Sequence, residues 1–173
     1  MIERWAVRLA GLLAALALIS LFLMMLQTVA DVLASNLFNR PIAGNLEIIS
    51  VYHMVFVVFL PLAFVEHKHE HISVDLLYRA LPVRLRQVVL VLGYLVSAVF
   101  FAILTYQTWN DAVRSFNIGE MMMGAVYVTI WPAKFALPLG FAAILLMVLI
   151  HAWRAATDPD FDPTPASPED SAA

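Results

Sequence analysis

Four long apolar runs dominate this chain, with polar or aromatic residues standing at their ends. Residues 7–29 hold no charge except Arg8, near the start. Residues 48–65 are apolar apart from a few polar side chains such as Ser50 and His53, residues 88–109 hold no charge at all, and residues 126–153 hold one lysine and one histidine. Crossing roughly 30 Å of hydrocarbon takes about 20 mostly apolar residues at the helical rise. A backbone in lipid has no water to bond, so such runs must satisfy their own amides as helices. The predicted fold class is an all-α integral membrane protein with four transmembrane helices, spanning about 7–29, 47–65, 88–109 and 127–153.

Composition agrees. Charged residues make up 13% of the 173 positions and hydrophobic ones 62%, whereas soluble domains average about 25% charged. Residues 1–156 form one membrane domain, and no loop is long enough to fold separately. The remainder, 157–173, holds four prolines, five acids and one large apolar residue, Phe161. That composition cannot bury a core and predicts a disordered acidic tail. Much of the net charge of -3 resides there, so it carries no implication of nucleic-acid binding. The absence of cysteine excludes disulfides, thiolate metal sites and cysteine nucleophiles. The first apolar run exceeds the 7–15 residues of a signal-peptide core, which favours an uncleaved span over a leader despite the small residues Ala30, Ala34 and Ser35 at its end.

Orientation follows from the basic residues. With the N-terminus inside, Arg4, Arg8, Lys68, Arg79, Arg84, Arg86 and Arg154 fall on the cytoplasmic side and only Arg40 and Arg114 outside. That bias over short loops places both termini in the cytoplasm. The tryptophans agree: Trp5 and Trp153 fall at the inner boundary, Trp109 and Trp131 at the outer one, where indole anchors well.

The connections carry more detail. In the first outer loop Pro41 and Gly44 break helical continuity. Asn45 is a candidate cap for the second span, with Glu47 in its first turn, where the helix dipole favours an anion. The inner loop opens with His67, His69 and His71 alternating with Glu66, Lys68 and Glu70. Three imidazoles with an open position suit zinc, but no pattern orients the rings, and a solvated turn is the simpler reading. Residues 71–81 then read as a short amphipathic helix on the inner surface. Ser73 is its cap, and Asp75 pairs with Arg79 at i,i+4. The second outer loop, 110–124, contains three consecutive methionines, Met121 to Met123. Adaptable thioethers there suit a partner, a dip toward lipid, or an early start of the fourth span. Within that span Pro132 is tolerated near the start, while Pro138 predicts a kink.

Few ionisable groups enter the spans. Lys134 lies one turn beyond Trp131, so its stem can snorkel outward or its ammonium can pair with Asp31 or Glu47 at similar depth. His53 and His151 fall at opposite depths. His67 and His151 share the inner boundary, which leaves a haem- or quinone-binding anchor of a respiratory complex as one alternative. A small stand-alone carrier is another, although no acid sits at mid-membrane. No nucleophile–base pair, phosphate loop or metal-binding helix motif supports an enzyme, and no cofactor is expected.

The stretch Asn36-Leu37-Phe38-Asn39-Arg40, then Glu47 opening the second span, then His71-Ile72-Ser73-Val74-Asp75 and Leu81-Pro82, resembles the small permease subunit of tripartite ATP-independent periplasmic (TRAP) transporters. The family's H-I-x-V-D pattern is matched by His71, Ile72, Val74 and Asp75, and the resemblance covers about residues 1 to 155. Many members carry two adjacent acids where Leu46 here precedes a single Glu47. The resemblance implies a subunit of the bacterial inner membrane that braces a large permease subunit. That partner carries the substrate and the coupling sodium, and a periplasmic solute-binding protein delivers a carboxylate-type solute. Charge pairing and the quoted motifs together make Asp31, Asn36, Arg40, Glu47, His71, Asp75, Arg79 and Lys134 the candidate structural or subunit-interface residues.

Overall fold

The computed structural model describes residues 2–67 and 83–157. The predicted surface helix at 71–81 lies outside the described residues, and so does the tail beyond Thr157. Four helical stretches are long and apolar enough to cross a membrane: Arg4–Phe38, Asn45–His67, Val88–Ile118 and Trp131–Thr157. The ends of the bundle are called inner and outer here after the orientation that the basic residues predict.

Spans 1 and 3 are uninterrupted. Helix α1 runs Ile2–Phe38 and helix α5 runs Val83–Ile118. At 1.5 Å per residue each is about 55 Å long, well beyond one hydrocarbon thickness. Both therefore pass the expected outer limits of 29 and 109, and Asp31, Asn36 and Asp111 are helical rather than in loops. Their ends are set by backbone geometry. Asn39 takes a left-handed φ of 55° just after α1. Gly119 does the same after α5 with φ 59°. The Gly119 amide donates to Phe116 O at 3.2 Å and the Glu120 amide to Ser115 O at 3.0 Å. This paired closure of a helix end needs a residue tolerant of positive φ.

Spans 2 and 4 are broken, and prolines account for two of the breaks. Span 2 consists of α2 (Asn45–Ile48), a wide π turn (Ile49–His53), α3 (Met54–Phe59) and α4 (Leu62–His67). The break between α3 and α4 falls at Leu60 and Pro61, because Pro61 has no amide to return to Val57. Span 4 consists of α6 (Trp131–Lys134) and α7 (Ala136–Thr157). Pro138 offers no donor to the Lys134 carbonyl, and the next bond, Leu139 N–H to Phe135 O, is stretched to 3.4 Å. The kink expected from Pro138 therefore appears one turn upstream of it, at Phe135. Asn45 does not cap span 2. Gly44, with φ 82°, holds the N-cap position, and Asn45 is buried in the first turn with its Oδ1 unpartnered among the described atoms.

The core is built on small side chains. Ala6, Ala10, Leu13 and Ala17 form the buried stripe of α1, meeting Ala63, Ala98, Ala143, Ile144, Met147 and Val148 in one cluster. Lipid tails are as apolar as leucine, so helices associate in a bilayer mainly through close van der Waals contact, which small residues permit. Gly140 shows the limit: a Cβ there would collide with the Phe59 carbonyl of span 2. Half of the apolar window of span 4 is buried, against 6% of that of span 3. Span 4 is thus the hub, while α5 packs on it along one face and leaves Leu92, Val96, Val99 and Ile103 exposed.

Between spans 3 and 4 the chain forms a small antiparallel hairpin, β1 (Met121–Met122) against β2 (Val128–Thr129), with Met121 opposite Thr129. The Ile130 amide donates to Glu120 O at 3.0 Å and extends the ladder. A hairpin here, in place of an early start to span 4, separates the three methionines from the helix that follows.

Candidate functional site

Polar side chains gather in three layers along the bundle. The outer layer ties loops to helix ends. Asp31 Oδ1 accepts the Ile42 amide at 2.6 Å, fixing the loop that leaves α1. Glu47 Oε1 accepts the Ala125 amide at 2.6 Å, fixing the hairpin tip to the start of span 2. A side chain at Gly124 would collide with that same carboxylate. Glu47 therefore sits in the first helical turn, as the dipole argument expects, and also carries a bond 78 residues away in sequence. The Tyr52 hydroxyl donates to Thr129 O at 2.6 Å. Asn36 bonds only its own helix, Nδ2 to Val32 O at 2.9 Å, and Arg40 is exposed in the loop.

Lys134 is paired, but with different acids from those the sequence suggests. Its Nζ lies 2.7 Å from Glu120 Oε2 and 3.0 Å from Asp111 Oδ2. Asp31 and Glu47 are engaged by backbone amides instead. Lys134 thus joins span 4 both to the outer extension of α5 and to the entry of the hairpin. The Lys134 ammonium holds the Glu120 carboxyl below the usual glutamate range. The buried Ser115 hydroxyl adds to that effect, although it lies near the carboxylate without reaching hydrogen-bonding geometry.

The middle layer is one cluster. His53, at the end of the π turn, lies between Ser20 and Gln27 of α1, with Nδ1 2.8 Å from Ser20 Oγ and Nε2 3.1 Å from Gln27 Oε1. With the ring proton on Nε2, the histidine donates to Gln27 and accepts from the Ser20 hydroxyl, so both nitrogens are satisfied. Ser20 and Gln27 are seven residues apart and share one face of α1. The wide turn shifts the register of span 2 at this point, and such turns recur at functional positions in helices.

The inner layer pairs His151 Nδ1 with Glu66 Oε1 at 3.3 Å, joining span 4 to span 2. The Tyr94 ring of α5 meets the imidazole edge-on, its centroid 5.9 Å away. His151 is buried where three helices meet, with its Nδ1 on Glu66. Among the described residues no three His, Asp or Glu side chains converge in a metal-binding group. His71, Asp75 and Arg79 lie outside the described residues. Trp5 is exposed with the Arg8 guanidinium 5.9 Å from its ring centre, and Trp153 is exposed as well. Trp109 and Trp131 meet Phe135 and Phe116 edge-on.

Sequence reasoning missed Ser20, Gln27, Tyr52, Glu66, Asp111 and Glu120 as partners. Ser20 and Gln27 carried a signal, two polar residues seven apart in an otherwise apolar run. The others are ordinary boundary residues whose partners only the fold selects.

The class so defined is a small multi-pass membrane protein in which several polar side chains, among the described residues, tie helix to helix and loop to helix. Residues 24–158, or 135 of the 173 positions, match the family described as tripartite ATP-independent periplasmic transporters, DctQ component. The chain belongs to that family, the small permease component of TRAP transporters. No curated relative and no solved structure matches it.

Proposed function

We propose that this chain braces a large permease subunit in the bacterial inner membrane, both of its own termini being cytoplasmic. The permease uses an ion gradient, with sodium as the coupling ion, to import a carboxylate-type solute that a periplasmic binding protein delivers. The family match over residues 24–158 carries this reading. The structure is consistent with it: the long exposed faces of α1 and α5 offer apolar surface for a membrane partner, while His53, Lys134 and His151 are engaged in bonds to neighbouring helices. Substrate chemistry belongs to the larger subunit.

The test is reconstitution. The chain is purified with and without a candidate large permease subunit, and solute uptake is measured with the binding protein present. Co-purification, and sodium-dependent uptake that needs both membrane subunits, is the expected result. Robust uptake by the lone chain, or a large subunit equally active without it, refutes the bracing role.

A further inference from the structure

The hairpin between spans 3 and 4 lies across the outer end of the bundle, and three contacts set its depth. Thr129 O is held by the Tyr52 hydroxyl from within the first turns of span 2. The tip is held by Glu47 through the Ala125 amide, with the Val126 side chain against Gly44. The return strand leads into Trp131, whose ring meets Phe116 with centroids 4.9 Å apart. Glu47 to Glu66 along span 2, and Trp131 to His151 along span 4, each cover about 30 Å at the helical rise. That is one hydrocarbon thickness. The hairpin therefore occupies the layer where headgroups meet acyl chains, rather than standing clear of the bilayer.

Its outward side chains are apolar. Met123 is 82% exposed and Tyr127 69%, and Met121, Met122 and Val126 are exposed beside them. The strand ladder and the Glu47 bond hold the backbone, so these side chains cannot fold inward to hide.

We propose that this hairpin is a lipid-contacting element whose methionine tip and Tyr127 lie in the outer headgroup–acyl boundary. Three observations favour lipid as the occupant. Apolar side chains are exposed at the outer ends of α1 and α5 as well, at Val32, Leu33, Val113 and Phe116. Exposed Arg40 and Arg114 stand at that end, where cations complement lipid phosphates. The Ile130 amide, the Thr129 carbonyl and the Ala125 amide are bonded within the protein, which lowers the cost of placing this backbone at the edge of a bilayer. Unbranched thioethers suit a fluid, irregular surface, and tyrosine is at home where one end of a side chain is apolar and the other wet. The contact would hold outer loop and bilayer together, leaving the polar edge of Glu47, Asp111 and Glu120 to face water.

The chain has no cysteine, so single-site nitroxide labels report each position cleanly. Met123→Cys and Tyr127→Cys are labelled in proteoliposomes, with the chain alone and together with the large permease subunit. Collisions with oxygen, which partitions into lipid, and with a water-soluble nickel chelate are compared with those at Val96→Cys on the exposed face of α5 and Asn117→Cys near its outer end. The expected result is an oxygen-to-nickel ratio several-fold above that at position 117 and below that at position 96, in both preparations. Nickel collisions at positions 123 and 127 as frequent as at 117 overturn the proposal, since the tip is then in water. Loss of both oxygen and nickel collisions only when the large subunit is present also overturns it, since a protein then covers the patch. Neither result bears on whether the chain supports transport, which the reconstitution assay reads separately.

Discussion

His53 lies well inside a span and is bonded at both ring nitrogens, to Ser20 and Gln27. Replacing it by phenylalanine keeps the volume but strands a hydroxyl and an amide in an apolar layer. A buried polar group left unpaired costs about 1–3 kcal/mol, while hydrogen bonds between membrane helices average nearer 0.6 kcal/mol when measured by double-mutant cycles. His53→Phe is therefore expected to destabilise the bundle by about 1–2 kcal/mol, and changing Ser20→Ala and Gln27→Leu in the same chain recovers most of the loss. Unfolding measured in detergent for the single and triple variants checks this, and a triple variant weaker than the single one contradicts it. Glu120 yields a prediction in pH. Lys134 lowers its folded-state value, so its stabilising contribution is present above the unfolded-state value and disappears as pH falls through the lower, folded one. Glu120→Gln is therefore expected to melt below the parent at neutral pH, with the two melting curves converging in acid below the usual glutamate range. A difference that does not change with pH rules out the Lys134 pairing as its source.

At the scale of elements, the crossing of span 2 and span 4 rests on one missing side chain. Gly140 lies where any Cβ would strike the Phe59 carbonyl, whereas Gly93 on α5 has nothing within 4 Å of the same atom. Gly140→Val is expected to force the two helices apart and lower the yield of folded protein sharply, and Gly93→Val to leave it near the parent level, with a loss of order 0.5–1 kcal/mol or less from packing changes. Size-exclusion profiles and melting temperatures in detergent distinguish the two variants. Equal tolerance of both would mean that the close crossing does not hold the bundle together. The element boundaries show what a linear reading sees and misses. Pro138 announced a break in span 4, yet the break falls at Phe135, because proline removes the bond of a carbonyl four residues before it. Pro61 breaks span 2 by the same rule inside a run that looked continuous. Gly119 was a helix stop in plain view, but the charged stretch before it read as loop, because an amphipathic helix end has no continuous apolar signature.

For the molecule as a whole, the uneven distribution of basic residues predicts both termini inside. Cysteines introduced at Asn39 and Asn117, which flank the outer ends of α1 and α5, are expected to react with a membrane-impermeant reagent added to intact cells, and one at Ser167 only after lysis. Reaction of Ser167 in intact cells reverses the topology. Number, type and approximate place of the spans were legible in the sequence, because a bilayer imposes a length and a polarity on each segment independently of the others. Family membership was legible too, through short motifs in a fixed order. Tertiary structure alone decided which partner each polar residue takes. Lys134 had acids within reach at several positions, and the packing of α5 on span 4 selected Asp111 and Glu120 while backbone amides took Asp31 and Glu47. Distance along a chain says nothing of such choices, because they depend on how helices rotate and cross, and those angles come from side-chain contacts summed over the whole bundle.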